Sequence, residues 1–463
     1  MPDRYVLAVD QGTSSTKCLL IDDAGTVAGT GSAAVPIRYP RPGWVEQDAG
    51  EILRSVLDAA AQCLAGISRR DVAAVGFSTQ RESAVVWDRR TGEPAGPVLG
   101  WQDQRAVTIC DALREKGHES RIREISGLPV DPMFSAAKLR WLLDRTPDAA
   151  IGTVDSWLLH ALTGSHQIEV GNASRTQLLD VRTGRWSSEL LGLFGVPSGA
   201  LPTITPSSGD LGRIGARGGV LEGLPITAVL GDSHAALYAH GTLGAGGIKI
   251  TYGTGSSVMR LVSDPSEAGA TCLTVAWGDP SPVLAAEGNI RSSGATVAWL
   301  ASLLRVSPAE IASMAAGATS DGVHLVPAFG GLAAPWWDDS AVGLISGLTL
   351  GTGPGQLARA AVESIGHQVA DVVDAMGPAE RLLADGGAAA NDLLMQIQAD
   401  VTGLPVRRAR TTGLSALGAG FLAGGVAAPL EYDDFTPRVS SAAARCAWHE
   451  AVARSRSANR PGS

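Results

Sequence analysis

The run Val6-Leu7-Ala8-Val9-Asp10-Gln11-Gly12-Thr13-Ser14-Ser15-Thr16-Lys17 limits what this chain can fold into more than any other stretch. An apolar segment stops at an acid, turns through glycine and hydroxyls, and passes a lysine into a second apolar segment, Cys18 to Ile21. That order predicts a strand, a tight turn and a returning strand. The turn offers backbone N–H groups, hydroxyls and a cation, which are the donors a phosphate chain needs. Asp10 stands at the strand end, where a carboxylate suits a hard cation such as Mg²⁺. Taken singly, the stretch is equally a hairpin with a solvated acid. A second copy tips the balance. Ile250-Thr251-Tyr252-Gly253-Thr254-Gly255-Ser256-Ser257-Val258-Met259 repeats the strand, the Gly-Thr turn and the strand in mid-chain. Two such hairpins, one in each half, point to two related domains closing on one nucleotide.

The chain is long enough, at 463 residues, for two or three domains, and its 45% apolar content supports sizeable cores. A net charge of −9 argues against nucleic acid or an anionic membrane as partner. Cys18, Cys63, Cys110, Cys272 and Cys446 are scattered, with no CxxC pair, so neither a disulfide framework nor a zinc site is expected. A reducing cytoplasm fits this usage. Met1-Pro2-Asp3-Arg4 lacks the layout of a signal peptide, and no apolar run is long enough to span a membrane.

Strand-like and helical patterns alternate, which gives an α/β class. Ala73 to Ser78 and Ala84 to Asp88 read as strands, and Asp48-Ala49-Gly50-Glu51 reads as a capped helix start. Helices are expected from Ser135, over Gln356 to Met376, and over Asn391 to Thr402. Residues 1–235 are expected to form an N-terminal domain, 236–436 a C-terminal domain and 437–463 a tail.

Several polar groups stand at predicted strand ends. Gly231-Asp232-Ser233-His234 follows the apolar run Ala228-Val229-Leu230. A carboxylate there can accept the proton of an attacking hydroxyl. Locally, an N-cap for a helix beginning near Ala235 is the better reading of Asp232. Gln80-Arg81-Glu82 suits recognition of several hydroxyls, or forms a surface ion pair. Trp101-Gln102-Asp103 sets an aromatic plane beside polar groups, as polyol sites do, or places a tryptophan in the core. Asp385-Gly386-Gly387 through Asn391 reads as a strand end, a turn and a helix start, a fit for a nucleotide or simply a connecting loop. His160, His166 and His240 lack metal-ligand spacing. No Walker A motif or G-x-S-x-G elbow occurs.

Together these residues resemble the FGGY carbohydrate kinases, and within them the glycerol kinase branch. The resemblance runs from about Val6 to Gly424. It is carried by Asp10-Gln11-Gly12-Thr13-Ser14-Ser15, by Gln80-Arg81-Glu82 with Val85-Val86-Trp87-Asp88, and by Trp101-Gln102-Asp103. Met133 through Asp144, with Lys138 and Trp141, matches one family pattern except at its last position, Arg145. Gly343-Leu344-Ile345-Ser346-Gly347-Leu348 through Glu363 matches a second. Asn172-Ala173-Ser174-Arg175-Thr176, Pro327-Ala328-Phe329, Ala334-Pro335-Trp336-Trp337-Asp338 and Asp385-Gly386-Gly387 are similar to further family blocks.

The resemblance implies two ribonuclease-H-like domains of the actin, Hsp70 and hexokinase type, closing on a central cleft over ATP. It turns Asp232 from a cap into a general base. It gives Asp10 the positioning of Mg²⁺, directly or through water. Thr13, Ser14, Lys17, Gly253 and Thr254 would face the phosphates, and Gly294, Gly387 and Asn391 the adenine and ribose. Arg81, Glu82, Trp101, Met133, Asp232 and Ser233 would form the acceptor site. Glycerol kinases usually carry tyrosine where this chain has Met133, glutamine at Ser233, phenylalanine at Ser257 and glutamine at Ala298. Loss of two aromatic walls implies an acceptor larger than glycerol, such as a four- or five-carbon polyol or ketose. The expected activity is ATP-dependent phosphorylation of a primary hydroxyl of a small polyol or sugar. The alternatives are xylulokinase or another ketose kinase, an actin- or Hsp70-like ATPase without a small acceptor, and a sugar-binding regulator. The sequence leaves a homo-oligomer open.

Overall fold

The computed structural model describes residues 4–241, 246–278 and 281–457. Residues 1–3, 242–245, 279–280 and, in the expected tail, 458–463 lie outside the described residues. The chain separates into two compact units. One contains Met1–Gly241, Leu273–Ala285 and Gly413–Pro429; the other contains Thr242–Cys272, Ala286–Thr412 and Leu430–Ser463.

The sheet of the first unit has five strands: β1 (Tyr5–Gln11), β2 (Ser15–Ile21), β3 (Val27–Ala34), β4 (Val72–Thr79) and β5 (Ile226–Gly231). Their order is β5-β4-β1-β2-β3. The opening hairpin is antiparallel, as its sequence predicts, with Asp10 opposite Lys17. Strands β1, β4 and β5 are parallel, and Asp10, Ser78 and Leu230 fall in one row of the register. The three chains therefore leave the sheet side by side, and the loops beyond their carboxyl ends collect polar groups in one place.

Apolar packing fixes that arrangement. Leu7, Val9, Cys18, Leu20, Phe77 and Val229 belong to one buried cluster. The helix Ala49–Cys63 adds Ile52, Val56, Ala59, Ala60 and Cys63, the spacing of one helical face. Its N-cap is Asp48, whose Oδ1 accepts the Glu51 N–H at 2.9 Å. The helix Leu414–Gly424 packs on Asp232–Ala239 so closely that a Cβ at Gly418 would lie 1.8 Å from the Ala235 carbonyl oxygen.

The second unit repeats the plan. Its main sheet contains β6 (Gly247–Tyr252), β7 (Ser256–Val262), β8 (Pro282–Ile290, in this unit from Ala286 onward), β9 (Arg381–Asp385), β10 (Val406–Ala409) and β11 (Tyr432–Phe435). They follow one another as β8-β7-β6-β9-β10-β11. Strands β10-β9-β6-β7-β8 thus reproduce β5-β4-β1-β2-β3, with antiparallel β6/β7 and parallel β6/β9 and β9/β10. The short sequence repeat is the visible part of a duplicated topology. The long helix Pro354–Met376 buries Ile365, Val369 and Val372. The tail forms the helix Ala442–Ser457, docked through buried Trp448, whose Nε1 donates to Asp371 Oδ2 at 2.9 Å.

Candidate active site

Asp10 occupies the edge where β1, β4 and β5 end. Its Oδ1 accepts a hydrogen bond from Ser78 Oγ at 2.8 Å, a contact set by the pairing of Asp10 with Ser78. Burial pushes its carboxyl up to about 6. The charge of Asp232 acts in the same direction, while the Ser78 hydrogen bond and Lys17 oppose it. Asp10 and Asp232 are therefore near enough to feel each other.

Asp232 opens the helix that follows β5, but it is not the N-cap. That place belongs to Gly231, which provides no side-chain bond. The local expectation of an Asp232 cap is corrected accordingly. Its Oδ1 accepts instead from Ser233 N at 2.6 Å and from Arg81 Nε at 3.1 Å. The carboxyl side chain keeps 37% exposure while the Arg81 side chain keeps 4%, so the acid stays reachable from solvent and the cation does not. Arg81 Nη1 also lies 3.3 Å from His234 Nε2. Glycine at 231 leaves room for Arg81, since a Cβ there would sit 2.4 Å from Arg81 Cδ.

Glu82 is buried beside Arg81 and has φ 61°, a left-handed conformation that costs a non-glycine residue on the order of 1–3 kcal/mol. Arg175 Nε donates to its Oε1 at 2.6 Å, and Ser135 Oγ donates to its carbonyl at 3.0 Å. The surface ion pair considered for Gln80-Arg81-Glu82 is thereby corrected: all three residues are buried. Gln80 is held by Gln11 and Gln47, at 3.1 and 3.0 Å.

Trp101 Nε1 donates to Thr13 Oγ1 at 3.2 Å, joining the first hairpin turn to the expected acceptor residues. The Thr13 carbonyl accepts from Gln47 Nε2 at 2.8 Å, while Ser14 and Lys17 are exposed. Asp103 is fully buried against Arg105 and the Val45 N–H, so its role is to hold the loop. Met133 is half-buried, its N–H donating to Asp131 Oδ1 at 2.7 Å and its carbonyl accepting from Lys138 Nζ. Lys138 is fully buried. Burial lowers its amine to about 8, against the opposing charges of Glu82, Asp103 and Asp131.

In the second unit, the turn at Gly253 and Thr254 receives the start of the helix Gly294–Leu304. Gly294 N donates to the Gly253 carbonyl at 3.0 Å, and Ala295 N to the Thr254 carbonyl at 3.0 Å. The Gly386-Gly387 turn adjoins the same hairpin through the pairing of Thr251 with Asp385. Asn391 caps the helix Asp392–Thr402, its Oδ1 accepting from Leu393 N at 3.0 Å. Ser257 Oγ donates to Glu287 Oε1 at 3.3 Å, and Ala298 is exposed.

The expected residues thus gather within their own units. Asp10, Thr13, Arg81, Trp101, Asp232 and Ser233 gather in the first; Gly253, Thr254 and Gly294 in the second, with Gly387 on the adjoining turn. Sequence reading gave no site role to Ser78, His234, Ser135 or Arg175, which contact the expected residues. Ser78 could have been found from strand pairing alone, since the next-to-last residue of one parallel strand, a serine, faces the next-to-last residue of its neighbour, an acid. Among the described residues, no group of three His, Cys, Asp or Glu could hold a metal ion, and no helix is long and apolar enough to cross a membrane.

Comparison with known proteins follows the same lines. The family model described as the N-terminal domain of the FGGY family of carbohydrate kinases matches residues 5–239, and that of the C-terminal domain matches 248–427. An apulose kinase of Pectobacterium atrosepticum is 40% identical, covering 97% of this chain and 98% of its own length. A glycerol kinase of Paracidovorax citrulli is 43% identical over 91% of this chain and 90% of its own. The crystal structure of Plasmodium falciparum glycerol kinase with ADP superposes with a TM-score of 0.86 at 25% identity, over 98% of both chains.

Proposed function

The chain belongs to the FGGY family of carbohydrate kinases, and from that premise we propose that it transfers the γ-phosphoryl group of ATP to a primary hydroxyl of a small polyol or sugar, with Asp232 as general base. The observation that carries this reading is the Asp232 carboxyl: it is solvent-reachable, held by buried Arg81 at 3.1 Å, and electrostatically coupled to Asp10. A base must be both oriented and accessible, and Arg81 orients it without covering it. As the acceptor oxygen bonds to the γ-phosphorus and the bond to the β–γ bridging oxygen breaks, Asp232 takes the hydroxyl proton. Arg81 and Glu82 hold acceptor hydroxyls, and Trp101 packs on the carbon skeleton while bonded to Thr13 of the phosphate turn. Within the first unit, Thr13, Ser14 and Lys17 supply donors for phosphate; within the second, Gly253 and Thr254 do so, and Gly294, Gly387 and Asn391 serve the nucleoside.

The donor set fits Mg²⁺. The Asp10 carboxyl, raised by burial and by the charge of Asp232, gains from a nearby cation. Mg²⁺ keeps several waters and phosphate oxygens as ligands, so a cluster of three protein ligands is not required. Asp10 would hold it, directly or through water, and the bound ion would offset charge on the phosphates. Met133 and Ser233, in place of larger family residues, support an acceptor larger than glycerol, and a relative named apulose kinase favours a ketose as the second reading.

A coupled ADP-release assay over glycerol, erythritol, xylulose and ribulose tests this. The expected result is acceptor-dependent ADP production with the highest kcat/KM for a four- or five-carbon acceptor. A higher value for glycerol overturns the substrate reading, and ADP production independent of any acceptor overturns the kinase reading in favour of a plain ATPase.

A further inference from the structure

Glu82 is an expected acceptor residue whose backbone and side chain are both pinned by groups to which no role has been given. Its φ of 61° is a left-handed conformation that few residues other than glycine adopt. Two contacts hold it there. Ser135 Oγ donates to the Glu82 carbonyl at 3.0 Å, and Arg175 Nε donates to Glu82 Oε1 at 2.6 Å. The pair is sealed, with side-chain exposures of 0% for Arg175 and 7% for Glu82. The Arg175 guanidinium lies 5.1 Å from the centre of the Phe134 ring. Ala136 N donates to the Thr176 carbonyl at 2.9 Å, so the segments that carry Ser135 and Arg175 are tied to each other. A sealed ion pair is a weak source of stability, because desolvation offsets most of the attraction. It is a strong source of orientation, because a planar guanidinium fixes a carboxylate in angle as well as in distance.

We propose that Arg175 and Ser135 are positioning residues for the phosphoryl acceptor: Arg175 fixes the Glu82 carboxylate, Ser135 fixes the backbone beneath it, and together they aim Glu82 at an acceptor hydroxyl. This rests on the acceptor role proposed above for Glu82. The residues act through Glu82, so their loss weakens acceptor binding and leaves ATP binding in place.

The test is steady-state kinetics on the best acceptor of the panel, with Glu82→Gln, Arg175→Lys, Ser135→Ala and the double variant Glu82→Gln/Arg175→Lys, each first checked by thermal unfolding. Arg175→Lys keeps the charge and loses the fork, and is expected to raise acceptor KM by about tenfold or more with ATP KM within about twofold. Ser135→Ala is expected to raise acceptor KM by about threefold. The double variant is expected to match Glu82→Gln alone, because the two side chains act as one unit. An unchanged acceptor KM in Glu82→Gln removes the acceptor role of Glu82, and this inference with it. A raised KM in Glu82→Gln with none in Arg175→Lys and Ser135→Ala overturns the inference alone, as do single effects that multiply in the double variant. If Arg175→Lys does not fold, Ser135→Ala decides by itself: a selective rise in acceptor KM supports the positioning role, and no rise overturns it.

Discussion

Asp10→Asn should make the protein more stable and inactive at once. The fold holds the Asp10 carboxyl up at about 6, against 3.8 for an ordinary aspartate, chiefly by burial and then by the charge of Asp232. The folded protein therefore binds this proton more tightly than the unfolded chain does. On account of Asp10, stability falls as pH rises from about 4 to about 6 and is lowest above that range. At pH 7 the displacement corresponds to a ceiling of about 3 kcal/mol. Asparagine keeps an oxygen for the Ser78 hydroxyl, whose bond to the charged form is already contained in the value of about 6, but it places an amide N–H₂ where a carboxylate oxygen stood, which costs about 1–2 kcal/mol. The net gain is then roughly 1–2 kcal/mol, or ~2–8 °C in Tm for a unit of this size. Differential scanning fluorimetry from pH 4 to 8, with and without Mg²⁺ and ADP, reads this directly. The gain should be full at pH 7 and shrink toward zero near pH 4. Mg²⁺ with ADP should raise the Tm of the parent more than that of the variant. A variant no more stable than the parent at pH 7, or a gain undiminished at pH 4, refutes the reasoning.

Gly231→Ala should push the Arg81 side chain off Asp232, because the new Cβ would lie 2.4 Å from Arg81 Cδ. A loss of ~1–3 kcal/mol in chemical denaturation and a raised acceptor KM are expected; unchanged kinetics would contradict the close approach. Trp448→Ala removes a buried ring stacked on His367, with centroids 5.1 Å apart, and the donor to Asp371. It should cost about 3–5 kcal/mol and open the helix Ala442–Ser457 to limited proteolysis, and an unaltered cleavage pattern would show that this ring does not dock the helix.

The elements easiest to read from the sequence are those whose signals are local. The two hairpins announce themselves as apolar runs broken by glycine and hydroxyls, and Asp48 and Asn391 cap helices where short polar side chains precede apolar spacing. Contacts distant in sequence leave no such mark. The helix Leu414–Gly424 reads as an apolar stretch rich in small residues, and nothing in that stretch says that Gly418 must meet Ala235. Arg175 lies in a recognisable block, yet its partner Glu82 is 93 positions away, and nothing near either residue in the sequence names the other. Asp232 shows how local preference yields to tertiary structure. An aspartate before a helix favours a cap, but here the helix begins one residue earlier than such a cap would allow, and Arg81 draws the carboxyl to itself.

The most direct test of the account is single-turnover and steady-state kinetics of Asp232→Asn with saturating acceptor. Loss of the base should lower kcat by about 10²–10⁴-fold while ATP binding, measured by calorimetry, stays within a few-fold of the parent. Turnover close to that of the parent would contradict the assignment of the proton to Asp232.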